Sequence, residues 1–328
     1  MKIKSLLILK LIATSALATE SEIVGTCEYE IPQGNSLWSV PFVGETSFSG
    51  RVIDLTWDAS TGETLITVNT DGMSPGAFSN HYLEFGDGSQ AGFNLDISSN
   101  SNGEIWVTGD ATAEGLSVGD RVIVRSHVTM STAFPDGSGL VPFVDTISLF
   151  NSGGNRLDLF WNSIGGFWMD VFGTPHDDEV IRPGQGFLIF SSQSINIKFG
   201  GQGDLSHVKT SPTLSLAEAN SINLIGASNP FFGESTALID LGLEESLAPF
   251  LDSVSLFSTD GSLSLIGTYL SDGGFMSGPV APNSLPPITL IDGNGEDASS
   301  IPVENGASLS VSVLADTLIL VPPVITIQ

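Results

Sequence analysis

The stretch 147–201, ISLFNSGGNRLDLFWNSIGGFWMDVFGTPHDDEVIRPGQGFLIFSSQSINIKFGG, decides the fold. Short apolar runs alternate in it with Gly, Asn, Asp and Pro, the pattern of consecutive hairpin strands. It predicts strands near 146–150, 157–162, 167–172, 186–191 and 195–199. Pro183, Gly184, Gly186 and Phe187 form a P-G-x-G-F element ahead of one of them. Its glycines suit a turn or a close backbone approach. Trp161 and Phe187 are expected in the core.

Outward from this stretch the punctuation continues. Asp-Gly pairs begin at Asp71, Asp87, Asp136, Asp260, Asp272 and Asp292, and Asn-Gly pairs at Asn102, Asn294 and Asn305. Both pairs suit tight hairpin turns. Their spread predicts an all-β chain. Helix is expected only in short pieces at 216–220 and 243–251. In 121–125, Val122 and Val124 should face one way, and Ile123 and Arg125 the other.

A degenerate repeat runs through the chain. Asn35-Ser matches Asn220-Ser, an offset of 185, and Ile53-Asp-Leu matches Ile239-Asp-Leu at 186. Ser148-Leu-Phe matches Ser255-Leu-Phe at 107, and Gly165-Gly-Phe matches Gly273-Gly-Phe at 108. The drop from 185 to 107 implies 78 extra residues in the first copy. The expected architecture is two antiparallel sandwich- or barrel-like modules. The first spans 33–203, with a small β subdomain inserted at about 72–140. A linker at 204–215 leads to the second, at 216–328.

Residues 1–18 read as a secretory signal. Lys2 and Lys4 precede an apolar run, and Ala16-Leu17-Ala18 is a small-x-small cleavage site. An extended segment, 19–32, follows. No later stretch is apolar enough for a membrane helix. The expected place is secreted, periplasmic or cell-surface. The chain carries 37 acids and 10 Lys plus Arg, a net charge of −27. Loss of Lys2, Lys4 and Lys10 with the signal takes this to about −30. Phosphate binding needs clustered cations, so nucleic acid is excluded as a partner. Cys27 is the only cysteine, so there is no internal disulfide.

Few motifs suggest chemistry. Gly72-Met-Ser74-Pro-Gly76 fits G-x-S-x-G, but a nucleophile elbow needs a helix after it, and a strand pattern follows. Gly293-Asn-Gly295-Glu-Asp-Ala298 fits a dinucleotide fingerprint without the helix that motif must open. Asp292, Asn294 and Glu296 alternate as calcium ligands would, yet the sixth position of the loop is Asp297 instead of Gly. His176-Asp177-Asp178-Glu179 offers metal ligands, or else a polar loop. Trp161, Phe167 and Trp168 are candidates for a sugar-stacking platform. As sequence neighbours on a strand, Phe167 and Trp168 must face opposite sides.

Three stretches carry a resemblance. They are HYLEFGDGSQAGFNLDISSNSNGEIWV running into GLSVGDRVIVRSHVTMSTAFP, then WNSIGGFW with DDEVIRPGQGFLIF, and the paired Asn-Ser openings. Together they resemble a paralogous family of secreted, uncharacterised β-rich proteins of Verrucomicrobium-type bacteria. The resemblance implies export and β architecture and no activity. The expectation is therefore an exported, non-catalytic β-rich protein of structural, cell-surface or adhesive type, with surface glycans or surface proteins as partners. The competing expectation is a carbohydrate-binding or accessory module of extracellular polysaccharide use, with calcium as its candidate cofactor.

Overall fold

The computed structural model describes residues 27–69, 73–88, 90–150 and 155–199, and shorter pieces between 213 and 321. The chain is all-β. It opens with β1 (Cys27–Ile31) and β2 (Gly34–Ser39). Six strands follow: β3 (Thr46–Asp58), β4 (Glu63–Val68), β5 (His81–Phe85), β6 (Asn94–Ser101), β7 (Glu104–Thr108) and β8 (Arg121–Ser126). These six close into an antiparallel barrel in the order β3-β4-β7-β6-β5-β8. The consecutive hairpins β5-β6-β7 have β4 beside β7, a Greek key. Alternate residues such as Val52, Ile66, Leu83, Ile105, Val122 and Val124 fill the interior. Ile123 and Arg125 lie outside that core cluster, as alternation predicts.

The chain then returns to the sheet it left. The elements are β9 (Val128–Thr129), α1 (Met130–Ala133), a 3-10 turn at Pro135–Gly139, β10 (Thr146–Phe150), β11 (Arg156–Asn162), β12 (Phe167–Met169), β13 (Val180–Ile181), β14 (Gly186–Ser191) and β15 (Ile195–Phe199). A five-stranded sheet runs β12-β11-β10-β14-β2, with the pairs β1–β15 and β9–β13 beside it. Its core holds Trp38, Phe134, Ile147, Trp168, Phe187 and Phe199. Thr46 pairs with Arg125, so the barrel is entered and left at adjacent residues. Such an excursion leaves the host sheet intact.

The last third supplies β16 (Thr213–Ala217), β17 (Asn223–Gly226), β18 (Thr236–Ala237), β19 (Ser253–Phe257), β20 (Leu263–Ser271), β21 (Ile288–Ile291), β22 (Pro302–Val303), β23 (Ser308–Ser312) and β24 (Thr317–Val321). Its five-stranded sheet runs β21-β20-β19-β23-β17, with the pairs β16–β24 and β18–β22. Strand for strand, this is the order of the first sheet with the barrel left out.

The structure departs from the sequence reading in its helices and in its boundaries, where β1 falls in the expected 19–32 segment and β16 begins in the expected 204–215 linker. The barrel takes residues 46–126, so β3 and β4 belong to its wall, and the span 72–140 both starts and ends too late, since Val128, Met130, Phe134 and Leu140 sit in the core of the host sheet. The Ile53 match drew that boundary past β3, although Ile53 lies on the barrel. Ile239 and Phe275 lie outside the described residues. Leu216 is not helical but sits in β16, paired with Leu318. Most of 243–251 is outside the described residues, where Leu247 N–H reaches Leu243 O at 3.1 Å. The short helix that does form, α1, follows Thr129, whose backbone N–H donates to Thr132 Oγ1 at 2.8 Å.

The two sheets meet where β2 and β14 pack on β17 and β23. Gly186 faces Ser308, and each is the first residue of its strand. Gly226 faces Ser39, and each is the last residue of its strand. Corresponding positions touch across the contact, as in an isologous dimer interface. Ser308 Oγ donates to Trp38 O at 2.5 Å, and Gly226 N–H to Gly184 O at 2.8 Å. A Cβ on Gly186 would lie 2.5 Å from Ser308 Oγ and 2.8 Å from Ser308 Cβ. Gly186→Ala is therefore expected to cost about 1–3 kcal/mol by overpacking, read from the urea midpoint. An unchanged midpoint would mean that this contact is loose.

Candidate functional site

The aromatic triplet is built on the β11–β12 hairpin, where Trp161 pairs with Trp168. Trp168 is fully buried, and its indole N–H donates to Phe134 O at 3.1 Å. Trp161, expected in the core, is instead half-buried at its margin, its ring 5.7 Å from that of Trp168. It lies against bare backbone at Gly137, where a Cβ would come within 2.5 Å of the indole. Phe167 is half-buried on the other face and curls over Gly165. The three rings therefore share no open surface. Two are core and core margin, and the third turns away. Phe187 is in the core as expected, and Gly184 takes a positive φ of 73° in the turn before β14.

His176-Asp177-Asp178-Glu179 is a working loop of the framework. It runs along the outer edge of β12, where His176 N–H donates to Trp168 O at 2.8 Å. Asp177 Oδ1 accepts the N–H of Trp168 at 2.8 Å, closing an edge open to strand addition. The His176 ring sits between Glu179 at 3.2 Å and Asp170 at 3.6 Å. Asp170 accepts from Thr174 N–H and Phe172 N–H, and these bonds hold its carboxyl below the usual value. Ser74 lies in a loop between β4 and β5, its carbonyl accepting from Asn100 Nδ2 at 2.9 Å. A strand follows it, so no elbow forms. Asp292, Asn294 and Glu296 lie outside the described residues, as does the Gly293 motif.

Two features escaped the sequence reading. The first is a buried carboxylate repeated in both sheets. Asp145 Oδ2 accepts from Val141 N–H at 2.8 Å, and its Oδ1 from Ser192 N–H at 2.8 Å. Asp252 Oδ2 accepts from Ala248 N–H at 2.7 Å, and its Oδ1 from Leu314 N–H at 2.9 Å. Each Asp stands one residue before its strand, β10 or β19, and ties that entry to the segment after β14 or β23. The signal was present: LVPFVDTISLF at 140–150 and LAPFLDSVSLF at 247–257 share seven of eleven residues.

The second is the asymmetry of the barrel. On β5 and β8 the outward side chains Tyr82, Glu84, Ile123 and Arg125 are all buried. Arg125 Nε lies 3.3 Å from Glu84 Oε2, and Arg125 Nη1 donates to Gly44 O at 3.4 Å. Arg182, just after β13, grips Asp96 of β6 with bonds of 3.0 and 2.7 Å. His127, the single residue between β8 and β9, places Nε2 3.5 Å from Asp96. The opposite wall, β3-β4-β7-β6, meets solvent. One outward row across it reads Thr56, Leu65, Trp106, Ser99, and the next reads Asp54, Thr67, Glu104, Ser101. On the other side of Trp106 the row is Asp58, Glu63, Thr108. Thr56, Ser99, Asp54, Asp58 and Thr108 are exposed, and Trp106 is half-buried among them. Ser101 Oγ donates to Glu104 Oε2 at 2.8 Å. The Ser60 hydroxyl, then its N–H, hold Asp58 below the usual carboxylate value.

The His127 junction carries a pH prediction. Burial pushes His127 below its ordinary value of 6.5, against the pull of Asp96, and burial does the same to His81. The folded state thus prefers both rings neutral. Their contribution is full above the unfolded value and is lost as pH falls toward the folded one. The urea midpoint is expected to drop between about pH 7 and pH 5, less steeply in His127→Gln. A slope identical in that variant would remove His127 from the account.

Among the described residues no helix is long and apolar enough to cross a membrane, and no group of three or more His, Cys, Asp or Glu is placed to hold a metal ion. No family model, curated protein or solved structure matches the chain.

Proposed function

We propose that the chain is an exported, non-catalytic β-protein of structural, cell-surface or adhesive type, built from two related modules. One observation carries the reading. Carboxylates at the β12 edge and at the strand entries accept backbone N–H groups: Asp177 at the β12 edge, Asp170 in the next turn, and Asp145 and Asp252 before β10 and β19. Their acceptor capacity goes into holding strand ends. Turns on either side of β12 present Ile164 and Phe172, each 90% exposed, which suits contact with a surface partner. The shared strand order supports relatedness of the modules, and the apolar run at the N-terminus supports export.

Fractionation of expressing cells tests this reading. The expected result is a chain processed near Ala18 in the envelope or medium. Unprocessed protein confined to the cytoplasm would overturn it. The second reading, a carbohydrate-binding module, draws on the Trp106 wall. A calcium ion at Asp292, Asn294 and Glu296 belongs to that reading, and binding assays with and without a chelator address it.

A further inference from the structure

We infer that the free wall of the barrel, β3-β4-β7-β6 centred on Trp106, is a binding face for a neutral polysaccharide. The inference rests on the second, carbohydrate-binding reading and gives it a site and a ligand class. One wall of the barrel is spent on packing, where Tyr82, Glu84, Ile123 and Arg125 are buried. The other carries a half-buried indole at its centre, with the exposed Thr56 and Ser99 in its row and the exposed Asp54, Asp58 and Thr108 in the rows beside it. An indole on an open sheet offers a flat apolar face on which the C–H face of a pyranose can stack.

The residues around the ring select the ligand. In the same row stand the hydroxyls of Thr56 and Ser99, and the apolar Leu65 lies between Thr56 and Trp106. One row away are Asp54, Thr67 and Glu104, and on the other side Asp58, Glu63 and Thr108. Carboxylates only accept hydrogen bonds, whereas hydroxyls donate and accept. A ligand rich in hydroxyls satisfies both. An anionic polymer would face Asp54, Asp58, Glu63 and Glu104 with no Lys or Arg in those three rows. A cationic polymer would leave the hydroxyl row idle.

The face is also prepared for binding. Glu104, two residues from Trp106 and on its side of the strand, has one oxygen already held by Ser101 Oγ. The register of β6 slips between Ile97 and Ser99, directly across from Trp106, and Ser98 Oγ donates to Trp106 O at 3.3 Å. A bulge of this kind re-aims side chains beside a binding face. Four strands span about 14 Å from β3 to β6, enough for more than one sugar ring.

The test is sedimentation of the purified whole chain with insoluble cellulose and insoluble β-1,3-glucan, beside chitosan and cross-linked polygalacturonate. The expected result is retention on a neutral polymer, equal at low and high salt. Trp106→Ala should weaken it at least about tenfold, and Trp106→Tyr should keep most of it. Thr56→Arg, which leaves the indole in place and crowds the exposed row, should also release the chain. Should Trp106→Ala fail to fold, Thr56→Arg and Trp106→Tyr decide the matter. Retention by no neutral polymer overturns the inference. So does retention unchanged in Thr56→Arg or in folded Trp106→Ala. Salt-sensitive retention on chitosan alone overturns it too, by making the wall a cation site. Binding with failed export would remove the adhesive reading and leave this site. Export with failed binding would remove the site and the carbohydrate-binding reading with it.

Discussion

Trp168→Ala is expected to lower stability by about 3–5 kcal/mol, read as a large drop in the urea midpoint at unchanged slope. Among the described residues Trp168 is the largest fully buried side chain, edge-on to Phe134 at 6.0 Å and tilted against Trp161 at 5.7 Å. Removing it opens a cavity and also takes one of two donors from Phe134 O, which keeps Gly137 N–H at 3.3 Å. Trp168→Phe separates these effects. It keeps most of the volume and loses the bond, so it should cost about 1–3 kcal/mol. Trp161→Ala, at the half-buried margin, should cost clearly less than Trp168→Ala. Equal losses at the two positions would contradict the packing described here.

Asp145→Ala is expected to be nearly as damaging, at about 3–5 kcal/mol. Two backbone donors, Val141 N–H and Ser192 N–H, lose a charged acceptor in a buried place. Hydrogen bonds to charged groups contribute about 1.5–3 kcal/mol each. Asp145→Asn does not rescue it, because the amide presents a donor to one of two donors. Asp252→Ala should behave alike in the second sheet, since its carboxylate takes Ala248 N–H and Leu314 N–H. The exposed Asp178 supplies the control, and its Ala variant should stay within about 0.5 kcal/mol of the parent. A mild Asp145→Ala would show that water reaches these donors readily.

The fold class was legible because period-two alternation and Gly turns are local signals. Trp168 inward with Phe167 outward follows from that period alone, as do Val122 and Val124 against Ile123. The barrel was not legible as a barrel. Its order places β4 beside β7 and β8 beside β3, pairings that no local pattern encodes. In β3 the register slips twice, between Thr46 and Phe48 and between Val52 and Asp54, which blurs the alternation at the point where the insertion begins. Nothing local singles out Asp145 or Asp252, since a lone Asp before an apolar run is ordinary punctuation. Only the backbone donors around them reveal the clasp. Trp106 resembled any strand aromatic, because its value depends on which wall of the barrel is left uncovered.

The pairing of first strand with last has a mechanical side. Cys27 lies opposite Phe199 at one end of the β1–β15 ladder, and Thr213 lies opposite Val321 at one end of β16–β24. Each unit is thus entered and left at neighbouring residues. A pull applied at those two points loads the ladder from its end, bond after bond, instead of all bonds at once. Such a seam unzips under low force, where the same bonds loaded in shear would hold. Stretched between two anchors, the chain would lengthen module by module and limit the tension passed along it.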